Sequence, residues 1–160
     1  MVPMDVTDLD PAEVFSVSHD LAHPPAAVFA AFTDPDRLAA WFGPQGWSVP
    51  RESVLLEVRP GGRQHFRMVN DADPAQVSPV HATYVRVEQD ALLEGREALP
   101  GPHGEPTGVT ILLRVEFLAT GDGGTLLVVT QGPLPESVHG GAAAGWRSSF
   151  VKLEALLAGG

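Results

Sequence analysis

The stretch that decides the fold is TLLVVTQGPLPESVHGGAAAGWRSSFVKLEALL, residues 125–157. Its first seven residues are rich in Leu, Val and Thr, as a strand buried on one face requires. Pro133 and Pro135 end that strand. From Glu136 the apolar spacing changes to the helical period, and Val138, Ala142, Trp146, Phe150, Leu153 and Leu157 fall on one stripe. The spacing predicts a helix over 136–157, roughly 33 Å long at 1.5 Å per residue.

Upstream of this stretch the pattern is mostly strands. VTILLRVEFLA, residues 109–119, is the longest, and Gly121-Asp122-Gly123-Gly124 turns it back into 125–131. VHATYVRVE and ALLEGREAL are separated by Gln89-Asp90, so they form neighbouring strands. RESVLLEV stops at the turn Arg59-Pro60-Gly61-Gly62, and RQHFRMV runs into a polar loop around Asn70 to Ser78. FSVSHDL alternates Phe15, Val17, His19 and Leu21 with polar residues, again a half-buried strand. Two short helices follow it, PPAAVFAAF with its prolines in the first turn and DPDRLAAWF with Leu38, Trp41 and Phe42 on one face. The order is βααββββββα, an α+β architecture in which a curved antiparallel sheet wraps a long C-terminal helix. Such a sheet capped by one amphipathic helix leaves room for an internal cavity.

The chain has 160 residues, with 10 Lys+Arg, 20 Asp+Glu and no Cys. That length corresponds to about one domain and buries ~70% of its unfolded surface without a metal or disulfide. Residues 1–13, acidic and broken by proline, read as a flexible tail, and 14–158 as a single domain. The absence of Cys excludes disulfides, thiolate metal sites and a cysteine nucleophile. A net charge of −10 argues against nucleic acid and anionic membrane as partners. The N-terminus has no basic run followed by an apolar one, so it does not read as a signal peptide, and no apolar stretch approaches the ~20 residues of a membrane span. The expected location is the cytoplasm.

Three blocks carry a resemblance: FTDPDRLAAWFGPQGW, LEVRPGGRQHFRM and the closing AGWRSSFVKLEALL. In that order, with strands between, the chain resembles the bacterial family named for the activator of the heat-shock-protein-ninety ATPase. That family belongs to the START-like, birch-pollen-allergen superfamily of helix-grip folds. The resemblance implies a cavity rather than a reaction, because the superfamily hosts lipid carriers, hormone receptors, polyketide cyclases, co-chaperone domains and antibiotic-sequestering proteins. It also implies that the strand from Gln64 to Met68, Tyr84, Phe117, Trp146 and Phe150 surround that cavity. Parity adds Ala82 beside Tyr84, and Leu113 and Val115 beside Phe117. With the aromatic residues Trp41, Phe42 and Trp47, the expected cavity set is Trp41, Phe42, Trp47, Gln64, Phe66, Met68, Ala82, Tyr84, Leu113, Val115, Phe117, Trp146 and Phe150. Any single member can equally be core.

Polar residues leave alternatives open. Glu94 and Arg96 share a side of their strand with Leu92. Either that face is inward and carries a costly charge pair, or the strand is an edge with Gly95 at a bulge. His65 and His81 can approach across paired strands, but none of His19, His23, His65, His81, His103 and His139 has metal-motif spacing, so no metal or cofactor is expected. Ser148 and Ser149 lie in the helix away from any visible base, and the glycine turns lack the following helix of a phosphate loop. No catalytic residue is assigned.

Leu112, Leu126 and Val128 make the opposite sheet face apolar, which invites either a homodimer or cover by the tail or a loop. Gly140, Gly141 and Gly145 weaken the first half of the helix, which is expected to be mobile and to gate the cavity. The leading expectation is non-enzymatic binding of a hydrophobic small molecule, a lipid, polyketide or aromatic natural product. Similar superfamily members sequester enediyne antibiotics. The alternatives are a polyketide cyclase in which Tyr84, His81 or Arg67 positions enolates, and a co-chaperone domain.

Overall fold

The computed structural model describes residues 6–100 and 105–159. In chain order its elements are β1 (Phe15–Leu21), α1 (Pro25–Thr33), α2 (Pro35–Trp41), β2 (Trp47–Ser48), β3 (Leu55–Leu56), β4 (Arg63–Asn70), β5 (Val77–Glu88), β6 (Leu92–Pro100), β7 (Pro106–Ala119), β8 (Thr125–Gly132) and α3 (Glu136–Gly159). The strands form one antiparallel sheet in the order β1-β8-β7-β6-β5-β4-β2, with β3 also paired to β4. The sheet curls into a half-barrel around α3, the helix-grip arrangement expected from the sequence.

Local chemistry sets the element ends. Asp34 caps α2, its carboxylate accepting from the backbone N–H groups of Asp36 (2.9 Å) and Arg37 (3.3 Å), while Pro35 opens the helix with a ring that needs no donor. RESVLLEV is not one strand. Pro50 enters a 3-10 turn over Arg51–Ser53, which the Ser53 hydroxyl closes by donating to the Pro50 carbonyl at 2.7 Å. Only Leu55 and Leu56 are left to pair with β4.

The core lies between α3 and the β1, β7 and β8 end of the sheet, closed on one side by α1 and α2. Phe150, Leu153 and Leu157 of α3 are buried there, each worth about 1.5–3 kcal/mol. The stripe is uneven: Val138 is exposed and Ala142 and Trp146 are only partly buried, so the first half of α3 is held less tightly than the second. His19 on β1 bonds to Glu154 and stacks on Phe150, fastening the second half to the sheet.

The N-terminal segment, read in the sequence as a tail, carries short local structure among the described residues. Val6–Asp8 and Pro11–Glu13 form 3-10 turns, and the Glu13 carbonyl accepts from Leu134 N–H at 2.8 Å. Val6 is buried, and its turn packs on β7 and β8. Leu112 of the apolar sheet face is itself buried. Residues 1–5 lie outside the described residues, as do residues 101–104 and His103 of the loop expected between Pro100 and Gly108.

Candidate functional site

A cavity of about 240 Å³ lies between the concave face of the sheet and the first half of α3. Phe66 and Met68 of β4, Ala82 and Tyr84 of β5, Leu93, Gly95 and Glu97 of β6, and Leu113 and Val115 of β7 line it from the sheet side. Ala142, Gly145, Trp146 and Ser149 of α3 lie opposite, and Phe32, Phe42, Gly43 and Pro44 close the end near α1 and α2. Gly43 has φ +97°, which keeps the chain after α2 close to β4: a Cβ there would stand 3.2 Å from Met68 Sδ.

Of the residues expected to surround a ligand, Phe42, Gln64, Phe66, Met68, Ala82, Tyr84, Leu113, Val115 and Trp146 line this cavity. Trp41, Trp47, Phe117 and Phe150 do not. Trp41 is fully buried behind it, its indole N–H donating to the Ala31 carbonyl at 2.8 Å. Phe117 packs edge-on against Phe29 (5.2 Å) and Phe32 (5.3 Å), closing the core under α1. Phe150 lies between His19 and Trp146 in the core below the cavity. Trp47 is partly exposed on the short β2, where its carbonyl accepts from Lys152 Nζ at 2.8 Å. Trp41 and Phe117 satisfy the aromatic pattern but pack against Phe29, Ala31 and Phe32 of α1.

The polar groups fall differently from both sequence alternatives. The strand carrying Glu94 is central, between β5 and β7, and not an edge. Its irregularity sits on the partner strand: Tyr84 pairs with Gly95 and Arg86 with Glu94, so Val85 is the extra residue of a bulge. The bulge reverses the side-chain alternation of β5. Tyr84 points into the cavity while Arg86 lies on the outer face, where its Nη1 meets Glu94 Oε1 at 3.1 Å. Arg114 Nη1 approaches the same oxygen at 3.4 Å. Glu94 is buried but answered by two guanidinium groups, as a buried carboxylate must be.

Glu97 has the opposite surroundings. It pairs with Ala82 on one side and Ile111 on the other, and it lines the apolar cavity. Burial pushes its carboxyl up to about 7, with no cation or donor offsetting the desolvation. The Tyr84 hydroxyl is buried and has no hydrogen-bond partner among the described residues, and burial raises its pKa too. Gly95 stands between them on the same face, so no side chain fills the space beside the phenol. Gln131 also lines the cavity, its Oε1 accepting from Trp146 Nε1 at 3.2 Å, which spans the gap between β8 and α3.

The histidine and arginine candidates lie away from the cavity, and Ser149, on its wall, is engaged within the helix. His65 and His81 do meet across β4 and β5, ring centroids 4.8 Å apart, but on the outer face; burial and the neighbouring His81 lower the pKa of His65. Arg67 is paired with Glu52 at 3.0 Å. The Ser149 hydroxyl donates to the Gly145 carbonyl at 2.9 Å. Among the described residues no group of three or more His, Asp and Glu is placed to hold a metal ion. Glu97 escaped the sequence reading because adjacent Leu92 and Leu93 leave the parity of β6 undecided. The signal available was the mirror alternation Leu93, Gly95, Glu97.

A curled antiparallel sheet gripping a long C-terminal helix over an apolar cavity defines the START-like, helix-grip class. Within it, the chain belongs to the family described as Activator of Hsp90 ATPase homolog 1-like protein, which matches residues 22–158. The fold is similar to that of the AHSA1 protein from Silicibacter pomeroyi, with a TM-score of 0.79 at 24% identity over 91% of this chain and 97% of that one. A protein from Chromobacterium violaceum gives 0.78 at 20% identity, over 91% and 96%. One from Nitrosomonas europaea gives 0.77 at 22%, over 93% and 96%. No curated protein matches the sequence. Among the described residues no helix is long and apolar enough to cross a membrane.

Proposed function

We propose that the protein binds and holds a small hydrophobic molecule in the cavity between the sheet and the first half of α3, without turning it over. The observation that carries this reading is the Tyr84 hydroxyl, buried and without a hydrogen-bond partner among the described residues inside a mainly apolar, aromatic-walled space. A buried polar group left unsatisfied costs about 1–3 kcal/mol, which a guest offering one polar atom would recover. The volume, about 240 Å³, lies below the ~300–1,000 Å³ of drug-sized pockets and favours a compact ring system over a long acyl chain. An aromatic natural product, held away from other targets as in antibiotic self-resistance, fits that description. Native mass spectrometry of protein purified from its own host tests the reading: a bound small molecule supports it, and a bare protein whose melting no lipid, flavonoid or polyketide shifts would sink it.

Glu97 gives a second reading its own observation. A carboxyl titrating near neutrality in the same cavity as a tyrosine is the kind of acid-base pair that a cyclase needs to move protons on a folded polyketone. Recovery of an altered molecule after incubation with a poly-β-keto thioester would favour it over simple holding.

A further inference from the structure

We propose that the molecule held in this cavity carries a basic nitrogen, a compact aromatic or alicyclic amine, with the Glu97 carboxylate as its counter-ion and the Tyr84 hydroxyl as an acceptor for its N–H. The inference rests on the cavity-binding reading and adds the chemical class of the guest.

The argument starts from what surrounds the carboxyl. Among the described residues lining the cavity, the titratable side chains are Glu94, Glu97 and Tyr84, and none is basic. Glu94 is already neutralised by Arg86 and Arg114. The other elements contribute only neutral groups to the cavity that Glu97 lines: Gln64 and Phe66 from β4, Leu113 from β7, Gln131 from β8, Trp146 and Ser149 from α3. The interior thus holds one acid that no protein cation answers. A neutral guest offers that acid no counter-charge. A guest ammonium would allow it to ionise, because an opposite charge within a few ångströms favours the charged form.

The walls point the same way. Phe32, Phe42, Phe66, Tyr84 and Trp146 line the cavity, and their ring faces attract a cation more strongly once water is excluded. The rings also supply the apolar contact that a compact amine's hydrocarbon part needs. An anionic guest would meet the opposite: no basic side chain and a chain of net charge −10.

Ionisation of Glu97 is coupled to binding, so the pH dependence has a fixed sign. Below about pH 7 the carboxyl is protonated and must release its proton before pairing with an ammonium. Affinity for the amine therefore rises as pH increases from 6 to 8, and proton release falls over the same range.

The test compares 1-naphthylmethylamine with the neutral 1-naphthalenemethanol by isothermal titration calorimetry on the full chain, at pH 6 and pH 8. The expected result is at least tenfold tighter binding of the amine at pH 8, a smaller preference at pH 6, and loss of the preference, read as the ratio of the two probes' affinities, in Glu97→Gln. Equal affinities for the two probes, or a preference that survives Glu97→Gln, overturn the inference and leave the cavity-binding reading standing. If neither probe binds, the inference is also overturned, and Nile red then decides the broader reading: its binding retains a neutral-guest cavity, and its failure removes both. Folding of the variant is read from its urea transition. Should Glu97→Gln not fold, Tyr84→Phe serves instead, with the amine losing several-fold more affinity than the quaternary trimethyl(1-naphthylmethyl)ammonium ion, which has no N–H to donate; equal losses overturn the inference.

Discussion

The indole N–H of Trp146 on α3 donates to the Gln131 side-chain oxygen on β8 across 3.2 Å, bridging helix and sheet at the cavity. Phe42 meets the same indole edge-on at 5.8 Å. Trp146 is only partly buried, so Trp146→Ala costs about 1–2 kcal/mol, less than the ~3–5 of a fully buried tryptophan. Ligand affinity is expected to fall tenfold or more. Chemical denaturation beside a dye-displacement titration reads both, and an unchanged affinity would remove Trp146 from the binding wall.

Tyr84→Phe deletes a buried hydroxyl that no group among the described residues satisfies. The ligand-free variant should be as stable as the parent, or more stable by about 1 kcal/mol, since the desolvation cost of the hydroxyl disappears. A loss of more than 1 kcal/mol would show that the hydroxyl has a partner in the resting protein.

Glu97 links stability to pH. Its carboxyl titrates at about 7 when folded against 4.5 as a free side chain, so the folded state holds the extra proton between those values. Stability is fullest below pH 4.5 and is lost as pH rises through 7, by up to about 3 kcal/mol for this group. Glu97→Gln lacks that loss. Urea midpoints at pH 5 and pH 8 should diverge for the parent relative to the variant, and parallel profiles would mean that Glu97 titrates as an ordinary surface acid.

Gly62 positions the site from a distance. Its carbonyl accepts from Tyr84 N–H at 2.9 Å, and the preceding Gly61 N–H donates to the Tyr84 carbonyl at 2.8 Å. A Cβ on residue 62 would stand 1.8 Å from the Glu57 carbonyl oxygen, which is backbone and cannot swing away. Gly62→Ala should therefore cost at least 2 kcal/mol and disturb the Tyr84 environment, visible in its ring proton shifts. A fully stable variant with native shifts would contradict the turn geometry.

Within α3, no atom outside the helix lies within 4 Å of where Cβ atoms of Gly140, Gly141 and Gly145 would be, and Val138 is exposed. Backbone amides of residues 137–145 should exchange with solvent markedly faster than those of 149–157, which sit above buried Phe150, Leu153 and Leu157. Equal protection along the helix would rule out its first half as the moving cover of the cavity.

The fold was legible because its signals are strong and local. The change of period at Glu136, the prolines ahead of it and the Gly61-Gly62 turn each have one structural reading, and the three family blocks agree with them. What stayed hidden was everything set by pairing between distant segments. Trp41 and Phe117 look like cavity aromatics until α1 and α2 are laid against them. Glu94 and Glu97 cannot be sorted without knowing that β5 bulges at Val85, and no residue type in TYVRVE announces the bulge. Val6 gave no sign of its burial because its contacts lie with β7 and β8, more than a hundred residues along the chain.

The bulge at Val85 separates two electrical compartments by the width of one strand. Outside, Arg86, Glu94 and Arg114 form a fixed set of opposed charges. Inside, three residues away from Glu94, a single carboxyl is left to answer whatever enters. Surface substitutions can retune the protein's net charge over a wide range without reaching that interior, whereas a β5 paired without its bulge, Val85 opposite Glu94 and Arg86 opposite Leu93, would place a guanidinium where the guest must lie.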